Sequence, residues 1–145
     1  MIKTIRLLPE DIVQNWNLIK YGTTSASGVE DKLVPQYCVG LLQNLFNNDC
    51  QCWFILSHER KIKVVILTKI VKDSGNIVRF LIDTLYGYLA TTKEEQEEAM
   101  DTFMTFAKNT GCTSIIANSA NEMVWKIMEK MQMIERFRSY ERRIA

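Results

Sequence analysis

From Asn76 to Ile144 the sequence reads strand, loop, helix, strand, helix, strand, and this order restricts the fold more than any other stretch. An apolar strand from Asn76 to Leu85 runs into Tyr86-Gly-Tyr-Leu-Ala-Thr-Thr92, and a helix then opens at Lys93. Thr92 and Glu95 have the spacing of a capping box, and Gly111 stands where a left-handed residue closes the helix. The apolar strand Thr113 to Ala117 lies too far along to pair through a hairpin. It is therefore expected beside the first strand and parallel to it. A strand leading into a helix N-terminus gathers unpaired N–H groups and the positive end of the helix dipole, a natural place for phosphate. Here that place carries Glu94, Glu95, Glu97 and Glu98. These acids suit the dipole themselves and oppose an incoming anion.

Upstream, Ile2 to Leu8 alternates like a half-buried strand. Pro9-Glu10-Asp11 opens a helix with an apolar stripe at Ile12, Trp16 and Ile19. Gly22 to Gly28 is polar and small, and is expected as a mobile loop. Pro35 begins a second helix that ends near Asn47. Gln51–Leu56, Lys61–Val71 and Asn76–Leu85 follow as strands joined by short turns, hence an antiparallel meander. Ser119 and Glu122 suggest a capping box for a late helix carrying Val124, Ile127, Met128 and Met131. Ile134 to Ile144 is expected as a charged closing strand whose alternating signs discourage edge pairing. The order is βααβββαβαβ, an α/β (α+β mixed) sheet with helices on both faces. At 145 residues, positions 1–145 are most simply one domain.

Bulk properties narrow the function classes. A net charge of +1 gives no case for a nucleic-acid or membrane partner, and no apolar run approaches the length of a bilayer span. The N-terminus lacks the long apolar core of a secretory signal. Cys50 and Cys52 are spaced too tightly for a zinc or redox motif, and His58 is the chain's single histidine. No metal is expected, and four reduced thiols in a cytoplasmic compartment are. The methionines fall on helix stripes and read as adaptable core or as part of a protein-binding face.

This layout resembles the GNAT superfamily of acyl-CoA N-acyltransferases over nearly the whole chain. The opening Ile5-Arg-Leu-Leu-Pro-Glu-Asp11 is similar to the family's common start, and Ala107-Lys-Asn-Thr-Gly-Cys112 to the end of its cofactor-side helix. Asn121 to Met133 is similar to its late helix, with Asn121 on the family's asparagine. Val124 stands for the alanine, Met128 for the tyrosine and Gln132-Met133 for a Gly-Phe pair. That tyrosine commonly protonates the departing thiolate, and a methionine has no proton to give. The central loop departs too. Gly87 is its single glycine, Tyr86, Tyr88 and Leu89 are bulky, and no basic residue follows before Lys93. The run from Leu85 to Gly87, followed by a helix and Ala-Lys-x-x-Gly-Cys, also resembles small GNAT-like proteins of tailed bacteriophages.

The resemblance implies two functional expectations. In the first, the chain has lost acetyl transfer, takes no cofactor, and acts as a binding or structural module. Its partner is then a virion or host protein, with a homo-oligomer possible, and it works in the host cytoplasm or the virion. In the second, it is an acetyl-CoA-dependent N-acetyltransferase with an atypical loop. Thr84, Leu85, Gly87 and Asn121 would then touch the cofactor, Asp83 would be the general base, and Tyr86 or Tyr88 the substitute acid. Each residue also has a structural reading. Asp83 suits a strand end satisfied by an amide or a cation, and tyrosines there usually bury their rings and wet their tips. His58 in a turn is usually solvated. The Arg136–Arg143 cluster has too little aromatic interleaving for a base-stacking platform.

Overall fold

The computed structural model describes residues 3–144. Its elements are β1 (Lys3–Arg6), α1 (Pro9–Gln14), α2 (Trp16–Ser27), a 3-10 turn (Asp31–Leu33), α3 (Val34–Phe46), β2 (Gln51–Leu56), β3 (Ile62–Lys72), β4 (Val78–Gly87), α4 (Lys93–Asn109), β5 (Ser114–Ala117) and α5 (Glu122–Lys130). The five strands form one sheet in the order β1-β2-β3-β4-β5. Neighbours from β1 to β4 are antiparallel, and β4 and β5 are parallel through the α4 crossover. This is the mixed sheet that the sequence order predicts.

Strand alternation divides the core between the two faces. Cys52, Phe54, Val65 and Leu67 pack with Ile12 and Ile19 of α1 and α2 and with Leu41 and Leu45 of α3. Trp53, Ile55, Val64, Ile66, Phe80 and Ile82 pack with Ala99, Phe103 and Ala107 of α4. Burial of such side chains, each worth about 1.5–3 kcal/mol, is what holds helices of this length in place. The Thr92–Glu95 capping box forms, and Gly111 takes φ 80° just past α4.

Three local expectations are corrected. Ile2, where the sequence reading starts the first strand, lies outside the described residues. Gly22 to Ser27 is helix, not loop: Thr23, Thr24 and Ser25 turn their hydroxyls back onto the carbonyls of Ile19, Lys20 and Tyr21, and only Gly28 (φ 68°) ends α2. Side chains that usually break helices are satisfied here by the turn below them. The cap of α5 is Asn121, whose side chain accepts from the Met123 amide at 2.9 Å, in place of Ser119. Residues 134–144 form no strand. Strand alternation would put Ile134, Arg136, Arg138, Tyr140 and Arg142 on one face, so no apolar face exists to bury.

Candidate functional site

The centre of the sheet is interrupted at Asp83. In the β3–β4 register Leu67 faces Thr84 and Thr68 faces Ile82, so Asp83 is the extra residue of a β-bulge. On its other edge β4 pairs with β5 only from Arg79 to Ile82, closed by the Asn118 amide donating to the Ile82 carbonyl at 3.0 Å. Past that point the strands part, and the β5-side edge of β4 from Asp83 to Gly87 stands open among the described residues.

The bulge aims Asp83 at an open cleft of about 470 Å³ between the sheet and α3, lined also by Tyr37, Asp49, Cys50, Thr68 and Lys69. Lys69 Nζ lies 3.9 Å from Asp83 Oδ2, both half-exposed. A cation therefore answers this acid. Burial raises the Tyr37 hydroxyl above its ordinary value, partly opposed by bonds with Thr23 and Ser27. Burial pushes the Cys50 thiol up to about 11 and the Cys52 thiol up to about 12, which makes both poor nucleophiles at neutral pH. All four cysteines are unpaired thiols. Among the described residues no group of three or more His, Cys, Asp or Glu could hold a metal ion.

On the opposite face Leu85 lines a cavity of about 70 Å³ between α4 and α5, with Met100, Val124, Met128 and Met131. Met128 thus contributes a thioether to an apolar wall. Asn121 spends its side-chain oxygen on the α5 cap. Thr84 is buried beside the bulge. At Gly87 an added Cβ would meet nothing nearer than the Leu89 carbonyl at 3.8 Å, so packing alone does not require glycine there.

The β4–α4 loop is tied down at both ends, and Lys63 of β3 does most of the tying. Its carbonyl accepts from the amides of Tyr88 (2.8 Å) and Leu89 (3.2 Å). Its ammonium donates to Glu95 Oε1 at 2.8 Å, and the same oxygen accepts from the Thr92 amide at 2.8 Å. Glu95 is buried, and burial works against its charge. The bonds from Lys63 and Thr92 outweigh that and hold its carboxyl below the ordinary range. Tyr88 donates its hydroxyl proton to the Leu18 carbonyl at 2.5 Å, and burial raises its pKa far above the ordinary value. Tyr86 stacks edge-on against Tyr21 and Tyr88, and a bond with Tyr21 raises its hydroxyl too.

The four glutamates do not act together. Glu95 is the buried cap, Glu98 accepts from the Thr4 amide on β1, and Glu97 faces Lys93 at 3.8 Å. Glu94 is exposed. The repulsive wall expected at the helix start is therefore mostly turned inward or neutralised. Sequence reasoning missed Lys63. It sits on another strand, 32 positions from Glu95, and its sole trace is a cation entering an apolar run.

No family description matches the sequence, and no curated protein is significantly similar to it. Solved structures are similar in fold. A ribosomal-protein-alanine N-acetyltransferase from Brucella melitensis superposes with TM-score 0.71 at 14% identity, covering 99% of this chain and 100% of that one. A GNAT family acetyltransferase from Staphylococcus aureus gives 0.69 at 13% identity, covering 99% and 98%. A predicted acetyltransferase from Clostridium acetobutylicum, solved with acetyl-CoA, gives 0.68 at 14% identity, covering 99% and 96%. The fold is that of the GNAT acetyltransferases.

That fold implies acetyl-CoA, whose diphosphate needs free amides at the loop. The amides of Tyr88, Leu89, Thr92 and Glu95 already have acceptors within the chain. Those four amides are engaged within the chain, and the open edge of β4 fits an extended amide chain.

Proposed function

We propose that this chain is a GNAT-fold binding module that does not use acetyl-CoA. The observation that carries this reading is the double grip of Lys63 on the loop. Freeing two amides and one ion pair costs about 1 kcal/mol each. Micromolar cofactor affinity corresponds to about 8 kcal/mol. A loss of roughly 3 kcal/mol would weaken such binding by about a hundredfold. Met128 supports the same reading, because the apolar wall at that point offers no proton. The resemblance to phage-encoded GNAT-like proteins extends the proposal to a virion or host protein as partner. Isothermal titration with acetyl-CoA tests the module: no saturable heat is expected at micromolar ligand, and a micromolar dissociation constant would overturn it.

A second reading, N-acetyl transfer with an atypical loop, is favoured by one feature: the bulge that aims Asp83 into a cleft beside the open edge of β4. Asp83 would there accept a proton from an amine. Asp83→Asn would then lower kcat far more than it changes KM.

A further inference from the structure

The open edge of β4 runs between two hollows on opposite faces of the sheet. Asp83 lines the cleft of about 470 Å³ beside α3, and Leu85 lines the apolar cavity of about 70 Å³ beside α4 and α5. Residues two apart on a regular strand share a face, and the bulge at Asp83 is what puts these two on opposite faces. Where β4 and β5 part, the chain leaving β5 is exposed at Asn118, Ala120 and Asn121. Two glycines border this stretch without a reason in the fold. Gly87 ends β4, exposed, and an added Cβ there would meet nothing nearer than 3.8 Å. Gly40 lies inside α3, where glycine weakens a helix, and lines the cleft; a Cβ on it would meet nothing within 4 Å. Neither takes a positive φ. A strand glycine often marks close approach of another backbone, and a bare helix position leaves room for an entering side chain. The cleft also has a sign. Two acids, Asp49 and Asp83, line it with one cation, Lys69, which faces Asp83 at 3.9 Å, so negative charge is in excess.

We infer that the open edge of β4 takes an extended peptide segment of another protein as an added strand, with a basic side chain in the Asp49–Asp83 cleft and an aliphatic one toward Leu85. Main-chain bonds along Asp83 to Gly87 supply the affinity, and the two hollows read alternate side chains. Successive residues of a strand point to opposite faces, so the recognised segment alternates basic and aliphatic residues. The cleft has the volume of pockets that hold small ligands, enough for a lysine or arginine side chain. The apolar hollow is smaller and walled by buried side chains such as Ile66 and Phe103, so it admits only the end of an aliphatic side chain. Acidic segments are turned away by Asp49 and Asp83. The inference deepens the module reading and rests on it, since it gives the edge to a partner's backbone and not to a cofactor.

Isothermal titration with short blocked peptides tests it. The probe is acetyl-Thr-Lys-Val-Lys-Val-Thr-amide, which has no free amine at its N-terminus. It is expected to bind saturably, and the peptide with glutamate in place of both lysines at least about tenfold more weakly. N-methylation separates strand addition from charge attraction. One isomer carries methyl groups on both lysine amides, the other on both valine amides. Alternate amides of a strand face opposite edges, so one isomer should lose binding and the other keep it. On the protein, Asp49→Lys, at an exposed position, should weaken the unmethylated peptide about tenfold, and Gly40→Leu should weaken it by filling the cleft wall; circular dichroism checks that both fold. No saturable binding up to millimolar peptide, equal binding of the lysine and glutamate peptides, or equal binding of the two methylated isomers each overturns the inference. Silence from acetyl-CoA and from the peptide together removes the strand site and leaves the module reading standing. Micromolar acetyl-CoA binding overturns the module reading instead.

Discussion

Lys63 Nζ and Glu95 Oε1 meet at 2.8 Å across the mouth of the β4–α4 loop, and both side chains are mostly buried. The pair joins a strand to a helix cap. Glu95 serves the cap through the Thr92 amide, while the Lys63 carbonyl serves the loop through Tyr88 and Leu89. One strand residue thus fixes the segment that leads from β4 into α4.

Glu95→Gln should destabilise the protein by about 2 kcal/mol at neutral pH, because it leaves the Lys63 ammonium partly buried without its anion. That corresponds to a Tm loss of roughly 5 °C. The pH dependence has a definite sign. The folded carboxyl is held below its ordinary value of 4.5, so the stability it contributes is present above that pH and is lost as pH falls through the lower, folded value. The gap between wild type and variant should therefore be widest near neutrality and narrow below about pH 4.5. Thermal melts from pH 7 to 3 read it directly, and a gap that does not change with pH would refute the assignment.

Much of the architecture was legible in the sequence. Short turns between apolar runs gave the meander, and the long crossover gave the parallel strand. The Thr92–Glu95 spacing gave the start of α4. Failures came where composition and spacing disagree. The run from Gly22 to Ser27 has loop composition, yet its hydroxyls satisfy helix carbonyls. Residues 134–144 have a β-like mix of residue types, but strand alternation leaves them no apolar face to bury, and no strand forms. Within the site, the missing glycines and Met128 could be read directly. The grip of Lys63 could not, because pairing between distant strands and loops depends on register, and register is set by the assembled sheet.

Gly22 sits where α2 passes Tyr88. A Cβ built there would lie 2.5 Å from Tyr88 Oη and 2.8 Å from Val65 Cγ1. Gly22→Ala should therefore cost up to about 2 kcal/mol, overpacking of about 1–3 kcal/mol less the roughly 1 kcal/mol gained in helix propensity. Tyr88→Phe removes the nearer clash along with the bond to Leu18. In a double-mutant cycle the Gly22→Ala penalty should fall by 0.5 kcal/mol or more on the Tyr88→Phe background, as expected for residues in contact. Urea unfolding measures all four corners, and strict additivity would deny the contact.

Asp83 faces Lys69 at 3.9 Å across a half-exposed surface. A pair of this kind contributes about 0–1 kcal/mol. Asp83→Asn should leave Tm within about 3 °C of wild type. A larger loss would mean that the bulge depends on the carboxylate, and would also spoil this variant as a probe of proton transfer.

Thr68 is fully buried and mediates a three-residue polar chain. Its hydroxyl accepts from the Trp53 indole N–H at 2.8 Å and donates to Gln51 Oε1 at 2.8 Å. Thr68→Val keeps the shape and deletes both bonds, leaving two buried polar groups without partners. Each such orphan costs about 1–3 kcal/mol, so the variant should lose roughly 2–6 kcal/mol. Thr68→Ser keeps the hydroxyl and gives up one methyl, a loss of about 1 kcal/mol. Trp53→Phe should recover part of the Thr68→Val penalty, because it removes one of the orphans. Urea denaturation orders the variants, and tryptophan emission should respond in Thr68→Val while changing little in Thr68→Ser. Equal stabilities for the valine and serine variants would show that the hydroxyl is not what holds this part of the sheet together.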